Sequence, residues 1–392
     1  MRIVHWLVPV LLAIMCGCAA KPPTAQWPHL SGAVLTDQGA PASLETVVAK
    51  ARSADFVLLG EGHTNLCDHA VQAQILEHLA QTGHRFSIGL EMLPVPAQPA
   101  LDRFASKEIS LDTLEQEINW RQNWGHPFHF YQPVFEIAAR YNLPLVALNL
   151  PRHVLVAARD GLAHDLPAHE QAMLPKKLIP VHPAQEHALR EQADMHLAMH
   201  TAGPGAASAQ GRPVTQAAQR FFLVQALWDS TMAEHALAGR ATWGLPMVIL
   251  AGAGHVEHGW GIASRIHALE PSATILGLVP VRDEKDFARQ TGQPALAGEL
   301  MYVYCAAQHR SRLGMHVVFA DQTVRVTEII PDSPADKAGL HAEDRLIAAG
   351  GKPLATATDL HFAAMAASRA QQPLALTVQR GTQILHLMLP LQ

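Results

Sequence analysis

The chain has 392 residues with a formal net charge of -5, and apolar residues make up 49% against 16% charged. That balance excludes a disordered chain, and the weak negative charge gives no reason to expect nucleic acid as a partner. The length asks for two domains, and the 24 histidines are a surplus that fits haem or metal handling, although they are scattered.

In chain order, Met1 to Met15 carries Arg2 and then a short apolar stretch, Trp6 to Met15. The stretch is too short to cross a bilayer comfortably and reads as a signal peptide over residues 1–18. It runs into Met15-Cys16-Gly17-Cys18-Ala19, which resembles the lipobox of bacterial lipoproteins. Cys18, behind the small Gly17, is then the lipidated residue rather than Cys16, which follows bulky Met15. The resemblance implies an outer-membrane location facing the periplasm, anchored by several acyl chains. The alternative is ordinary secretion. Cys67 and Cys305 would sit in an oxidising compartment, and the sequence does not say whether they pair. Residues 19–44, with Pro22, Pro23 and Pro28, are expected to be a tether.

The central stretch is Phe56-Val57-Leu58-Leu59-Gly60-Glu61-Gly62-His63. A continuous apolar run reads as a strand buried on both faces, and the glycines allow a sharp turn at its end. Similar runs end in Glu91, in Asn149 and, through Ala251-Gly252-Ala253-Gly254, in His255. Glu61, His63, Glu91, Asn149 and His255 are therefore expected at the carboxyl edge of one sheet, where open α/β sheets hold ligands. The helical pattern from Asp68 to Ala80 packs back on that sheet, with His69 and His78 expected at the surface. Leu101 to Ile118 also reads as helix, and Pro94, Pro96 and Pro99 should end the Glu91 strand.

The segment from Trp120 to Pro133 concentrates Trp, Phe, Tyr and His. It either caps a planar apolar ligand, with His126, His129 or Tyr131 offered to iron, or forms a satellite hydrophobic cluster. Val134 to Tyr141 is a short helix. His196 and His200 lie one helical turn apart, a spacing able to bind metal, with no third ligand evident. Arg220 to Leu237 is a helix carrying Gln225, Trp228 and Asp229. Ala273 to Val279 completes the core, and Leu300 to Tyr304 reads as an edge strand.

After Gln308 the pattern changes. Strand-like alternation to Ile330, Ser333-Pro334-Ala335 opening a short helix, a helix from Ala357 to Arg369 and a hairpin at Arg380-Gly381 resemble a PDZ domain over residues 310–392. The resemblance makes Leu313, Gly314 and Met315 the loop that holds a partner's C-terminal carboxylate, with the peptide added beside the strand from Met315.

Residues 45–305 resemble the ChaN-like haem-binding lipoproteins of the Tiki/erythromycin-esterase superfamily. The resemblance rests on Leu59-Gly60-Glu61-Gly62-His63, Leu90-Glu91-Met92, Asn149-Leu150-Pro151-Arg152, the helix from Gln225 to Ala233, and Ala251-Gly252-Ala253-Gly254-His255. It implies a three-layer α/β fold with a largely parallel sheet, followed by the small β-rich PDZ domain. It also implies haem as ligand, a role in haem or iron uptake, and membrane attachment through lipid. Some relatives in the superfamily are hydrolases. The alternative is thus a hydrolase that holds zinc or manganese with Glu61, His63, Glu91 and His255. A second alternative is a non-catalytic envelope adaptor. Family members often carry Tyr shortly after the last motif, where this chain has His258, which leaves the iron ligand open.

Overall fold

The structure, a computed structural model, describes residues 30–190, 216–311, 313–320, 323–331, 333–354 and 357–391. Cys18, the signal segment, His196 and His200 lie outside the described residues. No described helix is long and apolar enough to cross a membrane.

The first sheet is built from β1 (Ala33–Leu35), β2 (Pro41–Ala42), β3 (Phe56–Glu61), β4 (Ser87–Pro94), β5 (Leu145–Asn149), β6 (Met247–Gly252), β7 (Ile275–Val281) and β8 (Glu299–Tyr304), in the order β2-β1-β8-β7-β3-β6-β4-β5. The strands from β8 to β5 run parallel, whereas β1 and β2 are antiparallel. Both faces are covered, as the apolar runs require. Val57 and Leu59 of β3 pack with Ile75 and Leu76 of the helix Leu66–Gln81. Phe56 and Leu58 pack on the other side with Met232 and Ala236 of the helix Gln216–Trp243. Each such fully buried side chain contributes about 2 kcal/mol. Central β3 is therefore rigid enough to present a buried charge at its end.

Several expectations are corrected. Residues 33–42, assigned to the tether, form β1 and β2, and β1 pairs with β8 through Val34 and Val303. The Leu300–Tyr304 segment is consequently an interior strand and not an edge. The helical stretch from 101 to 118 is two helices, Gln98–Ala105 and Leu111–Glu117, parted where Lys107 adopts a φ of 66°. Strand β4 continues past Glu91 to Pro94, with its register against β5 shifting after Leu90. The irregularity lets proline enter the strand. Cys67 and Cys305 form a disulfide with a Cα–Cα distance of 5.7 Å.

The second sheet comprises β9 (Gln308–Ser311), β10 (Met315–Ala320), β11 (Thr323–Ile329), β12 (Arg345–Ala349), β13 (Lys352–Pro353), β14 (Leu374–Arg380) and β15 (Gln383–Leu389). Its order is β15-β14-β12-β11-β10-β9, with β13 on β12, all antiparallel. The helices Pro334–Lys337 and Ala357–Arg369 lie where the alternation broke off. A separate core of Met315, Val317, Val326, Leu346, Leu376 and Val378 makes this an independent unit. Buried Asp344 is forked by Arg380, with both contacts at 2.7 Å.

Candidate functional site

Glu61 ends β3 buried, and a buried carboxylate must be saturated with donors. His63 Nδ1 donates to Oε1 at 2.9 Å, Gln72 Nε2 donates to Oε2 at 3.0 Å, and the Tyr131 hydroxyl donates to Oε1. His69 Nδ1 stands 3.6 Å from Oε2. Burial alone would raise the Glu61 pKa, but His63, His69 and Tyr131 outweigh it and hold the carboxyl below its usual range. For His63, burial opposes protonation, yet Glu61 and Glu91 raise its pKa. Tyr131 is pushed far up by burial and by Glu61, so its hydroxyl keeps its proton.

A second carboxylate–imidazole pair adjoins the first. Glu91 Oε2 accepts the Gly252 amide at 2.5 Å, and Oε1 lies 3.4 Å from His255 Nε2. His255 Nδ1 donates to Asp229 Oδ1 at 2.6 Å, and Gln225 Nε2 donates to Asp229 Oδ2 at 3.2 Å. Burial pushes Glu91 up and His255 down, but their mutual charge prevails. Glu91 is lowered to about 2, and His255, with Asp229 behind it, is raised to about 10. Gly252 joins the two pairs: a Cβ there would stand 2.7 Å from His63 Cε1 and 3.6 Å from Glu91 Oε2. The structure brings Glu61, His63, Glu91 and His255, expected at one sheet edge, together as these two adjoining pairs.

The remaining expected residues divide. Asn149 serves backbone: its Nδ2 donates to the Glu91 carbonyl at 2.9 Å and its Oδ1 accepts the Leu150 amide at 2.8 Å. It ties β5 to β4 and is a positioning residue. Tyr131 is buried beneath Glu61 instead of capping a ligand. Trp120 is likewise core, donating to the His126 carbonyl at 2.7 Å. Trp124 and His126 stay at the mouth, with ring centroids 4.7 and 5.4 Å from His63. Exposed His129 turns onto Phe130, 4.6 Å between centroids.

Among the described residues no three His, Cys, Asp or Glu side chains converge to hold an ion. The acids and imidazoles are paired with each other, Glu61 with His63 and Glu91 with His255.

No role at the site was expected of Gln72 or His69, and Asp229 was named on its helix without one. His69, expected at the surface, is buried, and its Nε2 donates to the His63 carbonyl at 3.2 Å. His69 and Gln72 share a helix face with Val71 and Ile75, and polar residues on such a face were the available signal. Asp68 was also missed. It binds Arg282 at 2.6 and 2.8 Å and accepts the Gly62 amide at 2.7 Å, fixing the turn after Glu61.

The family model described as haem-binding uptake, Tiki superfamily, ChaN, matches residues 47–266. The chain belongs to this family. A PDZ domain model matches residues 311–391. Among solved structures, Campylobacter jejuni ChaN, described with cofacial haem binding, is 18% identical with a TM-score of 0.52. The match covers 70% of this chain and 97% of that one, and the likeness is one of fold. The HtrA3 PDZ domain bound to a phage-derived ligand is 23% identical over 21% of this chain and 88% of that one, with a TM-score of 0.18. The erythromycin esterase EreC is 15% identical over 61% and 73% of the two chains, with a TM-score of 0.36. Comparison with the curated proteins finds no match.

In the ChaN-like domain the donor set suits haem iron. His63 is 34% exposed, and the Glu61 carboxylate fixes its Nδ1, which leaves Nε2 for a ligand. Trp124 and His126 beside it offer planar rings to a planar macrocycle. His258, where relatives often have Tyr, is buried, stacks on Trp260 at 4.0 Å, and is lowered to about 4 by burial and Arg289. Burial thus favours its neutral form. In the PDZ domain Gly314 has a φ of 82°, and its carbonyl accepts the Ile330 amide at 2.9 Å. Phe130, stacked on His69 at 5.5 Å, also meets His316 of β10 at 6.1 Å.

Proposed function

We propose that the ChaN-like domain binds haem at the carboxyl ends of β3, β4 and β6, with His63 as the iron ligand. The observation that carries this is the partly exposed His63 held through Nδ1 by a buried carboxylate. A ligating imidazole needs such a partner to fix its tautomer and ring plane. Glu61, Gln72 and Tyr131 form that support, and the Asp229–His255–Glu91 chain holds Gly252 and the second wall. Trp124 and His126 are assigned to the face of the macrocycle. Bound haem supplies the iron coordination; the chain's own residues orient the ligand and exclude water from the acids.

The same reading makes the protein a handler of haem in the bacterial envelope, linked to haem or iron uptake. Cys18 is its lipid anchor to the outer membrane on the periplasmic side, and the PDZ domain is its module for recruiting a partner through a C-terminal peptide. Support for the anchor is the short apolar segment ending in Gly17-Cys18. Cys18→Ser should move the protein from the membrane fraction to the soluble one, and unchanged fractionation would sink the anchor. The haem assignment is tested with His63→Ala and His129→Ala. The first should shift the Soret band and weaken binding, and the second should do neither. Identical spectra for all three proteins would remove His63 from the site.

A further inference from the structure

We infer that β9 is a built-in occupant of the peptide-docking edge of the PDZ domain, so that a partner's C-terminus binds only when β9 leaves. The inference rests on the reading of this domain as a peptide binder. A strand has two edges for main-chain pairing. Strand β10 gives one to β11 along its whole length, from Met315 to Ala320. Its other edge is taken by β9, with Ser311 opposite Met315, Arg310 opposite His316, His309 opposite Val317 and Gln308 opposite Val318.

A peptide entering by β-augmentation needs that second edge, because its main chain must meet unpaired N–H and C=O groups. It must also run antiparallel to β10, since its terminal carboxylate belongs beside Leu313 and Gly314, where β10 begins. Strand β9 has this direction and, at four residues, the reach of a short C-terminal peptide. Edge and orientation are thus already satisfied by the chain itself.

The tether makes β9 a strong competitor. Cys305 is fastened to Cys67, its carbonyl accepts Arg282 Nη1 at 3.1 Å, and the Ala306 carbonyl accepts Asn65 Nδ2 at 3.0 Å. Only the few residues beyond Ala306 can swing away, so a released β9 stays at high local concentration beside β10. The anchor is the start of the helix Leu66–Gln81, which directly follows the turn carrying Glu61 and His63.

The test uses the full chain and a His309→Pro, Arg310→Pro double variant. Successive prolines remove two neighbouring amide donors, one of which faces β10. Fluorescein-labelled peptides with free C-terminal carboxylates, and their amidated forms, are titrated against both proteins. If β9 is released in a minor fraction of molecules, the variant binds a carboxylate-ended peptide about tenfold more tightly than the natural chain. Equal affinities would overturn the inference and leave peptide binding intact. No peptide binding to either protein would overturn both. Should the prolines unfold the domain, hydrogen exchange on the natural chain decides. A saturating peptide should release the amides of 309–311 to exchange, and unchanged protection there would overturn the inference.

Discussion

Substituting Gly252 by alanine separates the geometry of the site from the stability of the fold. The backbone of Gly252 lies at φ -54° and ψ 143°, a region open to any residue, so alanine adds no backbone strain. Its Cβ would stand 2.7 Å from His63 Cε1 and 3.1 Å from Nε2, where ordinary contact begins at 3.4 Å. The ring must retreat by about 0.7 Å or more, which stretches its bond to Glu61. Loss of that charge-assisted bond costs about 2 kcal/mol. Rehydration of the partly exposed ring and the stiffer unfolded chain recover about 1 kcal/mol. The net change in stability should therefore be about 1 kcal/mol, read by urea unfolding, whereas haem affinity, read by absorbance titration, should fall about 10- to 100-fold as a displaced support would cause. Gly254→Ala is the control, since a Cβ there meets nothing within 4 Å. Undiminished haem binding by Gly252→Ala would refute the placement of His63 as ligand.

The disulfide closes a loop with a sequence separation of 238, so Cys67→Ser with Cys305→Ser should lower stability by up to about 5 kcal/mol in denaturant titration. An unchanged midpoint would show that the link constrains nothing. The Glu91–His255 pair sets a pH window. His255, raised to about 10, stabilises the fold fully below its unfolded pKa and loses this as pH rises through 10; Glu91, lowered to about 2, stabilises above its unfolded pKa and loses this as pH falls through 2. Thermal melting should thus be flattest between about pH 5 and 6.5, with on the order of 3 kcal/mol lost toward pH 10. Glu91→Gln should remove most of that alkaline slope, and an unaltered slope would contradict the pairing. Gly314→Ala combines a φ of 82° with a Cβ placed 2.0 Å from Ser333 Cβ, so the PDZ unfolding transition should lose at least about 2 kcal/mol while the ChaN-like domain melts as before.

The strand ends were legible because burial on both faces writes itself as an apolar run, and a glycine followed by an acid or a histidine breaks it. Glu61, His63 and His255 could be read off that punctuation, whereas Glu91 follows Leu90 inside β4 and was read from the apolar run before it. Tyr131 could be singled out by composition, but its direction was decided by packing: it points down to Glu61 and not out to a ligand. The support residues were hidden for another reason. Asp229, Gln72 and His69 sit on helices, where a polar residue normally faces water, and only the tertiary fold turns them inward. The flanking strands β1 and β2, of three and two residues, are too short to carry a pattern. The pairing of β9 depends on a neighbour brought by the turn at 313–314.

The central claim is that this cleft is a haem site and not a metal-dependent hydrolytic centre. Titration of the purified protein with haem, followed at the Soret band beside metal analysis of the same sample, tests it most directly. The predicted result is saturable haem binding that His63→Ala weakens, with no stoichiometric zinc or manganese. Stoichiometric metal lost together in Glu61→Ala and His255→Ala, with no Soret shift, would contradict it.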